Sequence, residues 1–310
     1  MENLISIFST DFFYAVVRMA SPIVLAAVGE LMLERAGIFN LGIEAGILFG
    51  AFFGVLGSSL FQSAFMGLAV AVLAGAVLGM LYGWAVVTLA AHQAVVGTGL
   101  NILALGLTSL LSRMIWGVLD VPLVVPNIPD MPVPLLSQIP VIGRILFSHG
   151  PLVYLSYIMV GAVWFILYKT TWGLKIRSIG EHPKASATMG IPVIRWKFGM
   201  SVFAWICASV AGVILSLSFM NVFVDNISAG RGYMAVACVI LGQWNPWGVL
   251  AGGLIFGAGN ALQMRLQAFG VPIPTDLLLV IPMVLALLVV LLVRGKSSAR
   301  PAALAKPYEK

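Results

Sequence analysis

Apolar runs long enough to cross a bilayer recur along this chain from its N-terminal region to Val293. Roughly 20 consecutive apolar residues span the hydrocarbon core as a helix, and within that core every backbone N–H and C=O has to be satisfied inside the protein. The fold class follows from that restriction: an all-α, polytopic transmembrane helical bundle. Composition agrees, because 61% of the 310 residues are hydrophobic and 9% are charged, against about 25% charged in a soluble domain. With a mean hydropathy of +1.05, no stretch is left for a separate soluble domain, and residues 1–310 read as one membrane domain.

Gly, Pro and charged residues cut the apolar sequence into nine candidate spans: Phe12–Leu33, Ile38–Leu56, Ala64–Ala90, Val95–Ile115, Pro151–Tyr168, Phe198–Phe219, Tyr233–Leu241, Gly248–Met264 and Leu277–Val293. The seventh has only nine residues, well short of a crossing. Gly230 and Gly232 precede or open it, and Gly242 and Pro246 follow it. It therefore reads as a broken or re-entrant helix, tolerated at membrane depth only where protein or a cavity buries it, and these four residues mark a candidate gating segment. The bundle has eight or nine spans according to whether this segment crosses.

Lys and Arg set the orientation. Lys169, Lys175, Arg177, Lys184, Arg195 and Lys197 bracket the loop 170–196, while Arg294, Lys296, Arg300, Lys306 and Lys310 mark the tail 294–310; by the positive-inside rule both are cytoplasmic. Segment 117–150 carries Asp120, Asp130, Arg144 and a run of prolines from Pro122 to Pro140, and is the expected outer loop. If all nine segments cross, the N-terminus lies outside; if the short one only dips in, it lies inside.

The net charge of +6 reports this topology. Nucleic-acid binding would need a basic stripe with groove-reading elements, and the basic residues cluster between apolar spans instead. Cys207 and Cys238 lie inside apolar segments without metal-ligand spacing, which points to small core residues rather than a disulfide framework or a metal site. The N-terminus lacks the basic start and cleavage pattern of a signal peptide and is expected to be retained. Gly295-Lys-Ser297 is no phosphate-binding loop, since the first glycine of that motif would fall at Val290 inside a span. Gly230-Arg-Gly-Tyr-Met-Ala235 lacks the strand-helix-strand setting of a dinucleotide fingerprint. No nucleophile, base and orienter set stands out, so there is no candidate catalytic residue. Gly46-Ile-Leu-Phe-Gly-Ala51 and Gly253-Leu-Ile-Phe-Gly-Ala258 form a faint internal echo, of a length that small and apolar residues match by chance.

Ionisable and amide groups within apolar sequence are expensive and normally pair or face a cavity. Glu30 and Glu34 are spaced to share a helix face, with Arg35 adjacent; the three read as a structural ion pair near the cytoplasmic surface. Asn40, Glu44, Asn101, Phe219 and Asn221 are the candidate substrate-path residues. Asn101 follows Gly97-Thr-Gly-Leu, a setting that also suits interhelical hydrogen bonding, and Phe219 also suits an aromatic belt.

Loop 170–196 carries the most information. Pro183 suits the first turn of a helix, Glu181 suits its positive dipole end, and Lys184–Met189 forms a short helix that Gly190 and Pro192 terminate. Its small, polar surface suits a groove on another protein. The segment Gly180-Glu-His-Pro-Lys-Ala-Ser-Ala-Thr-Met-Gly-Ile191 resembles the coupling loop of the branched-chain amino acid, ribose and nucleoside family of ABC permeases. Gly29-Glu-Leu-Met-Leu-Glu-Arg-Ala-Gly-Ile-Phe-Asn-Leu-Gly-Ile-Glu-Ala45 is similar to the N-terminal signature of the nucleoside branch, which works with basic-membrane-lipoprotein type binding proteins; Ala45, Gly46 and Ile47 depart from its usual continuation. Ile227-Ser-Ala-Gly-Arg-Gly-Tyr-Met-Ala-Val-Ala237 with Leu241-Gly-Gln-Trp-Asn-Pro-Trp-Gly248 is similar to the family's glycine-rich broken segment.

The resemblance implies the membrane-spanning permease subunit of an ATP-driven importer in the bacterial inner membrane. Gly180, Glu181, His182, Pro183, Lys184, Ala185, Ala187 and Gly190 would contact an ATP-binding subunit through a cytoplasmic coupling helix. It also implies a second permease, homologous or identical, and an extracytoplasmic binding protein or lipoprotein. ATP and Mg would sit on the partner ATPase, with no cofactor on this chain. Nucleosides or related purines are the expected substrates, with sugars, riboflavin or branched-chain amino acids as alternatives. From another class, an ion-coupled secondary transporter or channel would need a mid-membrane coupling-ion ligand, for which Glu44 is the candidate.

Overall fold

The computed structural model describes residues 9–117, 124–269, 274, 277, 280–292 and 300–308. Residues 118–123 with Asp120 and Pro122, the last position of the ninth predicted span, and tail residues 294–299 and 310 with Arg294, Lys296 and Lys310 lie outside the described residues.

The described elements are helical. In chain order they are α1 (Thr10–Arg35), α2 (Ile43–Phe61), α3 (Ala64–Gly83, continued by π turns Trp84–Thr88), α4 (Gln93–Trp116), a short α5 (Ile142–Phe147), α6 (Pro151–Lys169), α7 (Thr171–Glu181) and α8 (Pro183–Thr188). There follow α9 (Val193–Val213, continued by π turns Ile214–Met220), α10 (Arg231–Leu241), α11 (Pro246–Ala268) and α12 (Ile281–Leu292). Among the described residues six helices are long and apolar enough to cross a membrane: α1, α2, α3, α4, α6 and α9, the third and last counted with their π turns. Each of the first six predicted spans corresponds to one of these helices, with boundaries that move mostly outward, while α10, α11 and α12 fall at the seventh, eighth and ninth. The second moves inward at its start because residues 36–42 form turns that bring Asn40 back onto α1.

α1, α2 and α9 form the centre and are buried along most of their length. α3 and α4 flank them, with Leu73, Val77, Val95, Ile102 and Met114 exposed, as lipid-facing surfaces require. Small residues let the central helices approach closely: Gly46 lies against Ala208 and Gly50 against Ser209, while Ser209 Oγ donates to the Gly46 carbonyl at 3.3 Å. On α11, Gly253 meets Val24 and Gly257 meets Ala20 of α1. Both glycine-rich echoes therefore lie at helix contacts. Cys207 and Cys238 are free and buried, as expected of small core residues.

The two ends of the bundle differ. One gathers the start of α1, the proline-rich segment and the end of α9: Arg144 pairs with Asp11 at 2.7 Å, Arg18 with Asp130 at 3.9 Å, and Val125 N–H donates to the Asn221 carbonyl at 3.0 Å. The other gathers the end of α1, α7, α8 and residues 300–308, where Ala303 N–H donates to the Gly180 carbonyl at 2.9 Å. Since α1 is 26 residues long, about 39 Å at 1.5 Å per residue, the two basic segments share one end and the proline-rich segment takes the opposite one.

Candidate functional site

α10 is a helix of 11 residues, and acidic side chains from elsewhere in the chain attend both of its ends. A helix begins with four backbone N–H groups that have no partner within the helix. Here Glu44, in the first turn of α2, supplies the acceptors: Gly230 N–H donates to Oε1 at 2.8 Å and Gly232 N–H to Oε2 at 2.6 Å. Glu44 is buried, and its charge also faces the positive end of the helix dipole. Gly230 has φ +81°, a conformation glycine adopts without penalty. A Cβ at position 232 would lie 2.5 Å from the Glu44 Cα.

Asn101 and Asn40 complete this corner. Asn101 Oδ1 accepts from Ala45 N–H at 2.9 Å, and its Nδ2 donates to the Leu41 carbonyl at 2.8 Å and the Tyr233 hydroxyl at 2.9 Å. Asn40 Oδ1 accepts from Gly42 N–H at 2.8 Å, and Asn40 N–H donates to Glu30 Oε1 at 3.0 Å. Three of the five path candidates, Asn40, Glu44 and Asn101, are thus brought together, each with its acceptor oxygen on a backbone N–H.

At the far end of α10, Gly242 is the C-cap, Asn245 Oδ1 accepts from Trp247 N–H at 3.0 Å, and Pro246 opens α11. Trp244 between them donates its indole Nε1–H to Glu34. Arg35 donates to the carbonyl of the same Trp244, from Nε at 2.9 Å, and Nη2 reaches the Tyr168 hydroxyl at 3.4 Å. Of the expected structural ion pair, Glu30 accepts from Asn40 N–H, and Glu34 and Arg35 both close on Trp244. Two neighbours in sequence point to one residue of another segment because a helix rotates them apart and the Trp244 turn fits between.

Phe219 and Asn221 lie nearer the proline-rich end. A cavity of about 610 Å³ is lined there by Tyr14, Arg18, Phe219, Asp225, Asn226 and Arg231, among others. The Arg18 guanidinium sits 4.7 Å over the Phe219 ring and donates to the Ser218 carbonyl at 3.1 Å. Arg231 joins this cavity to the first turn of α10. Asn221 stands in the left-handed conformation at φ +60°. Arg18, Arg231, Tyr233 and Trp244 were missed in the sequence; an arginine or hydroxyl within or beside an apolar stretch is the signal that could have found them.

The candidate coupling residues are gathered at the end that holds Arg35. Gly180 and Glu181 end α7, His182 is the N-cap of α8, Pro183 its first residue, and Gly190 closes the turn after it at φ +80°. Lys184 and Ala185 are exposed and Ala187 half-buried. Glu181 Oε2 accepts from Ala302 N–H at 3.2 Å.

The profile of the family described as branched-chain amino acid transport system / permease component matches residues 12–290. The chain belongs to this permease family. Among its relatives is the guanosine ABC transporter permease protein NupQ of Bacillus subtilis, 32% identical over 303 residues, 94% of each chain. The nucleoside ABC transporter permease protein NupC of Lactococcus lactis is 32% identical over 291 residues, 90% of this chain and 91% of the relative. A Haloferax volcanii permease protein, TsgC13, provisionally named for glucose, is 33% identical over 265 residues, 84% of this chain and 79% of the relative. No solved structure was matched. The permease is a multi-pass integral protein of the cytoplasmic membrane, the membrane-spanning subunit of an importer, and a transport component rather than an enzyme. Permeases of this kind work with an ATPase and a substrate-binding partner.

Proposed function

We propose that this permease carries nucleosides or related purines into the cell. The observation that carries this reading is the similarity along 94% of both chains to a permease named for guanosine transport. Substrate is handed over by an extracytoplasmic binding protein or lipoprotein at the proline-rich end, enters beside Phe219 and Asn226, and passes α10. Asn40, Glu44 and Asn101 hold the frame of that helix. The ion-coupled alternative loses support, since the Glu44 carboxylate is committed to two backbone N–H groups.

The bundle crosses the membrane eight or nine times, with the N-terminus outside if α10 and the chain before it act together as one crossing and inside if they only dip in, and loop 170–196 lies in the cytoplasm. A second permease, homologous or identical, encloses the path, and α8 seats on an ATP-binding subunit that holds ATP and Mg. Nucleotide binding drives transport only if it favours one conformation of the permease pair over the other. A sugar is the second reading, favoured by the Haloferax relative.

The test is uptake of radiolabelled guanosine into proteoliposomes holding the permease pair, ATPase and binding protein. ATP-dependent uptake that competing glucose leaves unchanged, and that survives collapse of ion gradients, is the expected outcome. Uptake of glucose without guanosine would overturn the substrate, and uptake that follows an ion gradient without ATP would overturn the mechanism.

A further inference from the structure

We propose that residues 300–308 and α8 form one composite platform on which the ATP-binding subunit seats, so that the partner grips two segments far apart in sequence. This inference rests on the coupling-loop reading. The C-terminal segment is fastened to the loop through its backbone: Ala303 N–H donates to the Gly180 carbonyl at 2.9 Å and Ala302 N–H to Glu181 Oε2 at 3.2 Å. Pro301, Ala303 and Leu304 are buried, and the Lys197 ammonium lies 5.8 Å from the Tyr308 ring centre. Held in this way, the segment moves with α7 and α8 as one body.

Two grooves flank α8. One, of about 520 Å³, has Glu181–Ala185 on one wall and Ala302, Ala303 and Lys306–Tyr308 on the other. The second, of about 450 Å³, runs between Ala187, Ile191–Arg195 and Tyr308. Tyr308 lines both, so a partner that encloses α8 meets it on either side. Met189 is 82% exposed at the tip of the loop, and the exposed Lys184, Arg195 and Lys306 ring the grooves with positive charge. The occupant that fits is an ATPase surface with an apolar floor and an acidic rim, since complementary charge of this kind fixes register and orientation at an interface.

The platform is also anchored to the transport machinery. A Cβ at Gly180 would meet the Arg35 carbonyl, and a Cβ at Gly37 would lie 3.4 Å from the Ala303 carbonyl oxygen. Arg35 is the residue that holds Trp244 at the end of α10. Force on either wall of the platform thus reaches the same point of α1.

Single cysteines at A185C and K306C, each carrying a benzophenone, test this in membranes holding the full complex; Cys207 and Cys238 are buried and are left in place. Photolysis is expected to join the ATP-binding subunit to the permease from both positions. A cross-link from position 185 with none from position 306 would overturn the composite platform and leave the coupling-loop reading standing. Silence at both positions, with the complex still assembled by co-purification, would overturn the two together.

Discussion

Gly232 N–H donates to Glu44 Oε2 at 2.6 Å, tying the first turn of α10 to the first turn of α2 across 188 residues. The bond lets a helix begin at a buried position. An unpaired amide there would carry its full desolvation cost, roughly 1–3 kcal/mol for each group, and Glu44 serves two. A residue that reads in sequence as a candidate ion or substrate ligand is thus a cap, and the position of α10 depends on it.

Replacing Glu44 with Ala is expected to lower the melting temperature in detergent and abolish uptake, because both N–H groups lose their acceptor. Glu44→Gln keeps one acceptor oxygen and is expected to fall between. Thermal unfolding followed beside guanosine uptake checks this; a Glu44→Ala protein as stable and active as wild type would refute the cap.

Trp244→Phe removes the indole donor to Glu34 and leaves the Arg35 bonds to the Trp244 carbonyl available. The expected phenotype is partial uncoupling: ATP hydrolysis within about twofold of wild type and transport reduced severalfold, in keeping with the roughly 1–3 kcal/mol of a buried acceptor left unpaired. The ratio of ATP hydrolysed to substrate moved is the quantity to measure, since a simple loss of folding would lower both.

Glu181→Lys removes the acceptor for Ala302 N–H and adds a cation beside the exposed Lys184 and Lys306. Insertion and expression are expected to persist while ATP-dependent uptake is lost. Membrane fractionation together with uptake tests both halves of this expectation, and wild-type transport would refute the role.

His149, in the proline-rich segment, is stacked on Tyr14 with ring centroids 4.4 Å apart and bonded to the Ile145 carbonyl at 2.8 Å. Burial holds its pKa below the ordinary value, outweighing the contribution of that carbonyl, which raises it. The unfolded segment therefore takes up a proton first as pH falls below about 6.5. Wherever the unfolded state binds more protons, stability rises with pH, so this end of the bundle loosens on acidification. Protection factors of the amides of residues 124–150, taken relative to the intrinsic exchange rate at each pH, are expected to fall from pH 7 to pH 5.5, and those of a His149→Gln variant to depend less on pH.

The helical fold class, the short broken helix between Gly230 and Pro246, and the projecting helix opened by Pro183 and closed by Gly190 were all legible in the sequence. Each rests on a local rule: apolar length against bilayer thickness, or the backbone preferences of glycine and proline. Charge distribution likewise separated the two basic segments from the proline-rich one before any coordinate was known. The partners of the buried charges were not legible. Glu34 and Arg35 are adjacent in the chain and pair by proximity on paper, yet both meet Trp244 more than two hundred residues away. Only the packed bundle decides which polar group lies within 3 Å of another, because hydrogen bonds are short and directional while hydropathy is a property of each segment alone. For the same reason the sequence by itself determined that this permease builds apolar helices and where glycine and proline interrupt them, and the tertiary structure decided that Glu44 would hold α10 and that residues 300–308 would lie against α8.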